Sequence, residues 1–379
     1  MEDSGKQDKI LITHYNSRYL PLTEVWIYNQ LKKLKDFRII FLCRSLHNVD
    51  LFPGIEVYAL EEKSFILQKL NILFSKVFGY IPMFDRKSRE AKLLHVHFGY
   101  NAIKLTGLKK KRNIPMICSF YGIDAHHFPY ANKRNLKKMQ GMFIQVDKVL
   151  VLGKYMKSQL INLGCPEDKI IIHHLGIYLD KIEFVLRTYN KSRPVRFLLA
   201  SSFIEKKGVE TCLQALINLK NDLDFTVDII GDGPLKTRIQ DIIKSGNLQE
   251  KVKMHGYQPY EFFIKLAYDC DVMLQASRTS EANDKEGTPM SLVDAMATGM
   301  PVVSTRHGDI PEIVVDGVTG FLAEEGSVVE FEEAISKMME RMEEISIFSR
   351  KSRKWIEENF DVEKQSDRLS HIYNNLIEN

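Results

Sequence analysis

Glu286 and Asp294 stand on either side of Gly287-Thr288-Pro289-Met290-Ser291-Leu292-Val293, and the residues between them describe a helix aimed at an anion. Thr288 suits an N-cap and Pro289 the first helical position. The amides of Met290, Ser291 and Leu292 would then be free at the positive helix end, where a phosphate belongs. Gly299 closes the helix, Pro301 stops its continuation, and Val302-Val303 opens a strand. Glu286 lies just outside the phosphate position. The same nonapeptide also fits an ordinary strand-helix-strand unit with a surface Glu.

Other clusters add to this or fall away. Lys206 and Lys207 precede Gly208 and offer positive charge to a diphosphate; the alternative is a solvated helix start, which like charge at the positive helix end disfavours. Gly231-x-Gly233 is not a dinucleotide fingerprint, because Lys236 replaces the third Gly and Pro234 occupies the turn. Asp269-Cys270-Asp271 has a metal-binding spacing but runs directly into Val272-Met273-Leu274-Gln275, so its carboxylates read as the flank of a buried strand. His95-Val96-His97 places two imidazoles on one strand face with no third ligand nearby in sequence. Neither a metal nor any other cofactor is expected. Cys43, Cys118, Cys165, Cys212 and Cys270 are widely spaced and read as reduced structural thiols.

The elements that must position these residues alternate. A strand at 10–12, a helix at 25–34 and a strand at 38–43 open a doubly wound sheet, continued by strands at 93–98, 115–120, 148–152 and 169–173. After Pro194 the pattern restarts with a strand at 196–200 and a helix at 208–219. Strands then follow at 225–230, 251–255, 272–275, 301–304 and 320–322. The chain is thus α/β, with domains expected at 1–193 and 194–360.

Its net charge of +4 conceals a division: residues 1–193 carry 32 Lys and Arg against 17 Asp and Glu, and the remainder carries 21 against 32. Basic clusters at Lys32-Lys33-Lys35, Lys109-Lys110-Lys111-Arg112 and Lys133-Arg134 with Lys137-Lys138 are either solvated helix faces or attractors of anionic lipid, at roughly 1 kcal/mol per suitably placed cation. The apolar stretch 70–84 is broken by Lys76, Gly79 and Pro82, too soon for a membrane span. Phe65, Leu70, Leu73, Phe74, Val77 and Phe78 can form one apolar helical face, read as core ahead of lipid contact. The polar start Met1-Glu2-Asp3-Ser4-Gly5-Lys6-Gln7-Asp8 lacks a signal-peptide core. The expected location is cytoplasmic, with peripheral contact to an anionic membrane face as an option and no nucleic-acid partner.

The opening nonapeptide resembles the E-x7-E region of retaining family 4 glycosyltransferases. In that family the first carboxylate holds the donor sugar, the helix end holds the nucleotide diphosphate, and the second carboxylate reaches the ribose; Asp294 is one methylene shorter than the usual Glu. Ser201-Ser202-Phe203-Ile204-Glu205-Lys206-Lys207-Gly208 is similar to the element in which an Arg and a Lys grip the diphosphate. Lys207 matches the Lys, Ser202 stands at the Arg position, and Lys206 is a candidate substitute. Gly231-Asp232-Gly233-Pro234-Leu235, Val252-Lys253-Met254-His255-Gly256-Tyr257 and the run from Gly308-Asp309-Ile310-Pro311 to Gly320-Phe321-Leu322 continue in family order, with Tyr257 near the base.

In the first half, Leu22-Thr23-Glu24-Val25-Trp26-Ile27, His97-Phe98-Gly99, Ser119-Phe120-Tyr121-Gly122-Ile123-Asp124 and Leu163-Gly164-Cys165-Pro166 resemble the exopolysaccharide and colanic-acid branch, though many relatives carry His-Gly where Tyr121-Gly122 stands here. The resemblance implies the GT-B fold, two Rossmann-like domains facing a cleft, with a C-terminal helix at 361–379 returning to the first domain. It also implies metal-independent, retaining transfer of a sugar from a nucleotide diphosphate to a glycan or lipid-linked acceptor in cell-surface polysaccharide synthesis. Glu286 would position the sugar, and Ser202, Lys206, Lys207, Gly231, Tyr257, Gly287, Thr288, Pro289, Met290, Ser291 and Asp294 would bind the donor. His97, Tyr121 and Gly122 would lie on the acceptor side, with Asp124 either orienting an acceptor hydroxyl or capping a turn. Ser202, Tyr121 and Asp294 also motivate a non-catalytic sugar-nucleotide-binding subunit; the Glu286 to Asp294 pattern disfavours an epimerase of the same fold.

Overall fold

The computed structural model describes residues 9–21, 24–78 and 80–378. The polar start 1–8, the motif residues Leu22 and Thr23, and the apolar-run break at Gly79 lie outside the described residues. The chain forms two compact units, Met1–Gly176 with Val362–Asn379, and Ile177–Asp361.

In the first unit seven strands, β1 (Ile10–Tyr15), β2 (Phe37–Cys43), β3 (Glu56–Ala59), β4 (Leu93–His97), β5 (Met116–Ser119), β6 (Lys148–Val151) and β7 (Ile170–Ile172), form one parallel sheet in the order β3-β2-β1-β4-β5-β6-β7. Central strands such as Leu93-Leu94-His95-Val96-His97 are buried throughout, because a parallel sheet is covered on both faces. Strand β3 escaped the sequence pattern: it is a four-residue edge strand, only half-buried and starting on a Glu. The chain steps outward from β1 to β3 and returns on the other side of β1 at β4. The β1/β4 border is therefore a topological switch point, the place where open parallel sheets bind ligands. Helix α1 (Val25–Lys33) supplies Ile27 and Leu31 to a core that also takes Leu369 and Tyr373 of the C-terminal helix, Val362–Glu378.

Helix α2 (Phe65–Phe78) overturns the expectation of a core face. Phe65, Ile66, Leu67, Leu70, Leu73, Phe74, Val77 and Phe78 are all exposed, Ile66 by 71% and Val77 by 65%. The helix instead turns its polar side inward. Asn71 is buried, donating to Leu67 O at 2.7 Å and accepting from Met83 N at 3.0 Å, while Gln68 Nε2 donates to Glu61 O and Lys63 O at 3.1 and 2.8 Å. Periodicity gave the apolar face and not its direction. Helices α3 (Thr106–Arg112), α4 (Ile123–His126) and α5 (Lys133–Gln145) complete the part of this unit that concerns function.

The second unit repeats the architecture with β8 (Val195–Ala200), β9 (Phe225–Ile230), β10 (Val252–Gly256), β11 (Val272–Gln275), β12 (Val302–Thr305) and β13 (Gly320–Ala323), parallel and ordered β10-β9-β8-β11-β12-β13. Its switch point is the β8/β11 border. Helices α6 (Val209–Leu219), α7 (Tyr260–Asp269) and α8 (Met290–Ala297) pack on this sheet.

The division between units falls at Gly176/Ile177, earlier than the expected boundary at 193/194. Ile177 and Ile182 are buried in the second unit's core, and Arg187 is buried among the carboxyl ends of two helices. Its guanidinium donates to Ala267 O in the last turn of α7 and Cys270 O just after it at 3.2 Å, to Thr298 O at 2.6 Å and Thr298 Oγ1 at 2.9 Å after α8, and to Val185 O at 2.6 Å. Burial lowers its pKa to about 10, which leaves it cationic at neutral pH, and a cation suits two negative helix ends. Arg187→Met keeps the bulk but strands these oxygens out of water. The expected loss is about 3 kcal/mol or more, read as a lowered midpoint in urea unfolding; an unchanged midpoint would remove Arg187 from this role.

Candidate active site

The second unit's switch point gathers two loops. After β8 the chain runs through Ser201 to Gly208, and after β11 through Ala276 to Pro289, directly into α8. Gly208 has φ +64, and a Cβ there would stand 1.7 Å from Ala276 O, so only glycine lets the first loop close on the end of β11. Gly231 serves the same end of the sheet: its Cβ would meet Ser201 O at 2.0 Å. The loops are then laced together. Arg278 N donates to Lys206 O at 2.9 Å, and the Glu205 carboxylate accepts from Arg278 Nη2 at 3.2 Å and from Glu281 N at 3.1 Å.

This lacing brings Lys207 Nζ to 2.6 Å from Glu286 Oε2, with the two side chains only 15% and 12% exposed. Lys206 takes a different partner, Asp284, at 3.0 Å. Behind Glu286 sits a residue that the sequence did not single out. His307 is buried, its Nε2 accepts the Glu286 backbone N–H at 2.9 Å, and its Nδ1 therefore carries the proton donated to Glu325. Burial lowers the His307 pKa, in keeping with this neutral tautomer. Glu325 also accepts from Thr279 N at 3.1 Å, so one carboxylate ties together both ends of the Glu286 loop. These partners lie far apart in sequence, and no local pattern marks them.

Helix α8 begins one residue later than expected. Pro289 is the N-cap, Met290 the first helical residue, and Thr288 makes no capping bond; Leu292 N donates to Pro289 O at 3.0 Å, which leaves Met290 and Ser291 as the free amides. The other end closes as expected. Gly299 at φ +90 follows Thr298, with Gly299 N donating to Met296 O and Met300 N to Ala295 O, a Schellman arrangement. Asp294, on α8, is buried and accepts a hydrogen bond from Tyr260 Oη at 3.1 Å; burial pushes its pKa up to about 7 against the lowering effect of that bond. Gly287 is half-buried, whereas Ser202 and Tyr257 are exposed, Tyr257 by 80%. Asp271, of the discarded metal spacing, is held bidentately by Arg193 at 2.7 Å.

The arrangement is a cation, a carboxylate and two free helix amides at one switch point. Two family profiles match the chain: glycosyl transferases group 1 over residues 183–355, and glycosyltransferase family 4 over residues 23–181. The chain belongs to the family 4 glycosyltransferases. It is 32% identical to an amylovoran biosynthesis glycosyltransferase of Erwinia amylovora, over 70% of this chain and 65% of that protein, so it spans a little under two thirds of that relative's length. It is 27% identical to a putative colanic acid biosynthesis glycosyltransferase of Escherichia coli, over 83% of this chain and 77% of that protein. Among solved structures, Anabaena HepE in complex with UDP shares the fold with a TM-score of 0.77 at 18% identity, covering 97% of this chain and 100% of that one. The two parallel-sheet domains are those of the GT-B fold.

The first unit groups the remaining candidates around its own switch point, with two corrections. Asp124 is fully buried, and its oxygens accept from Gly99 N at 2.9 Å and from Tyr121 N and Gly122 N at 3.1 Å. It is a loop cap that ties the end of β4 to the end of β5, and its catalytic assignment is withdrawn. Burial outweighs these amides and raises its pKa to about 6. His97 is fully buried as well, and so supports Tyr121 rather than facing a ligand. A polar chain runs from Tyr121 Oη to His97 Nδ1 at 2.7 Å, from His97 Nε2 to His14 Nδ1 at 3.1 Å, and from His14 Nε2 to Tyr373 Oη at 3.3 Å. It continues from Tyr373 Oη to His95 Nδ1 at 2.5 Å and from His95 Nε2 to Ser119 Oγ at 2.7 Å.

With neutral imidazoles every link of that chain has one donor and one acceptor. Burial holds the His97 pKa at about 3 and those of His14 and His95 well below the usual value. The unfolded chain therefore takes up these protons first. The stability they support is full above pH ~6.5 and is lost as pH falls towards the folded values. Asp124 and Glu24, raised to about 6 and about 7 by burial, act in the opposite sense, so the difference between variants is the readout. Urea midpoints of wild type and His97→Gln between pH 7.5 and 5 should converge as pH falls. Parallel pH profiles would show that His97 is not held neutral.

Proposed function

We propose that the chain transfers a sugar, with retention and without a metal ion, from a nucleoside diphosphate donor held by the second unit to a glycan or lipid-linked acceptor in cell-surface polysaccharide synthesis. The Lys207–Glu286 pair at the β8/β11 switch point carries this reading. On donor binding the Lys207 ammonium exchanges the carboxylate for diphosphate oxygens, and the Met290 and Ser291 amides add the positive helix end. Glu286 is then free to face the sugar, where it positions hydroxyls and steadies the positive charge that develops as the glycosidic bond breaks. Asp294 and Tyr260 address the ribose. Positive charge for the leaving group comes from Lys207 and the helix end, and the departing phosphate helps deprotonate the acceptor on the same face. The polysaccharide relatives and the UDP held by HepE support the acceptor and donor classes.

Glu286→Gln should lower transfer by roughly 10²-fold or more while nucleotide binding stays near wild type, because the amide keeps the shape and loses the charge. Lys207→Ala should weaken a nucleoside diphosphate more than the nucleoside in calorimetry. Undiminished turnover in the first variant, or equal losses in the second, would contradict these roles.

The reading includes peripheral contact with the cytoplasmic face of an anionic membrane. Among the described residues no helix is long and apolar enough to cross one, but α2 turns eight large apolar side chains to solvent beside a basic surface. Such a helix lies in a lipid interface, and its charge attraction is screened over about 8 Å at physiological salt. Sedimentation with anionic vesicles should fall with added salt and in Leu70→Asp/Val77→Asp. Equal binding to neutral vesicles would defeat the docking.

A further inference from the structure

We propose that the cavity between α2, α3 and α5 holds the diphosphate of a lipid-linked acceptor, whose apolar chain runs along the exposed face of α2. The inference rests on the glycosyl-transfer reading above and names the acceptor class. The cavity has a volume of about 830 Å³ and is lined by six cations, Arg44, Lys76, Lys104, Lys110, Arg134 and Lys138, with no carboxylate among its lining residues. Cations beside it have carboxylate partners: Lys109 pairs with Asp147 at 3.0 Å, and Lys111 and Arg112 share Asp85 at 2.7 and 2.5 Å. Among the described residues, none of the six lining cations forms an ion pair. Six like charges around one cavity repel one another, and a multivalent anion relieves that repulsion.

The deepest of the six is Lys104, whose ammonium donates to Asn101 Oδ1 at 3.1 Å and to Ser17 Oγ at 3.3 Å. Burial lowers its pKa to about 8, so a bound anion restores what desolvation removes. Ser17 lies just beyond β1, Arg44 directly follows β2, and Asn101 lies just beyond β4. The inner end of the cavity is therefore at the carboxyl ends of the strands around the first sheet's switch point, where this fold class binds ligands.

The outer end is apolar. Val77 and Phe78 line the cavity, and Phe74, Leu73, Leu70 and Ile66 continue from them along α2 at helical spacing. A helix of 14 residues is about 21 Å long, so a lipid chain leaving the cations meets a continuous apolar track. A diphosphate headed by charge and trailed by hydrocarbon matches both ends. A free diphosphate matches only the first.

Calorimetry on the full chain with saturating UDP, which is titrated first and reports separately on the donor site, distinguishes these sources. Farnesyl diphosphate is expected to bind saturably and at least tenfold more tightly than inorganic pyrophosphate, with no binding of farnesol. Lys110→Glu/Arg134→Glu, both exposed and so compatible with folding, should lower the farnesyl diphosphate affinity at least tenfold. Phe78→Ser should weaken farnesyl diphosphate and leave pyrophosphate unchanged. Equal affinities for farnesyl diphosphate and pyrophosphate would overturn the lipid assignment. So would farnesol binding as tightly as its diphosphate, or indifference to the charge reversals. Failure of UDP to bind while farnesyl diphosphate still does would sink the donor reading and leave this site standing.

Discussion

An ammonium and a carboxylate held 2.6 Å apart and mostly out of water organise the second unit's switch point. Neither Lys207 nor Glu286 would tolerate that burial alone, since an uncompensated charge in such a place costs several kcal/mol. The surrounding loops are built to keep the two together. Gly208 allows the Lys207 turn to close on β11, Glu205 fastens that turn to the loop beyond Arg278, and His307 with Glu325 fixes the Glu286 backbone from behind. An ion pair at the mouth of a helix end is also easily re-partnered by an anion of higher charge, which gives the proposed donor site its logic.

The two units use one sheet topology for different ends. In the second, the switch point joins a single cation to helix amides, which is enough for a diphosphate even though residues 194–379 carry more acid than base. In the first, it is backed by a neutral chain of three histidines and two tyrosines and flanked by unneutralised cations. Charge is kept out of the sheet and concentrated beside it. Helix α2 completes that side by presenting hydrocarbon to solvent, the surface on which the proposed lipid contact rests.

Most of the fold was legible because parallel strands covered on both faces read as apolar runs bounded by glycine and proline. Strand β3 was not, being half-buried at the sheet edge. The Gly299 stop was legible because its signal is local, although the N-cap moved from Thr288 to Pro289, and the pairing of Lys207 with Glu286 across two loops had no local signal. Asp124 had two readings in the sequence, and only the three amides around it decide for the cap. His307 and Glu325 carried no local signal, since their meaning lies in contacts across distant segments. The direction of α2 was hidden for a related reason. Spacing separates an apolar arc from a polar one, but only the bonds of Gln68 and Asn71 to the neighbouring chain show which arc faces inward.

The central claim is that the Lys207–Glu286 pair is the resting form of a diphosphate site, and a structure with an intact nucleoside diphosphate sugar tests it most directly. The account predicts Lys207 Nζ on a diphosphate oxygen, the Met290 and Ser291 amides directed at phosphate, and Glu286 within hydrogen-bonding distance of the sugar. A donor bound elsewhere, with Lys207 still on Glu286 and no phosphate at the start of α8, would contradict it.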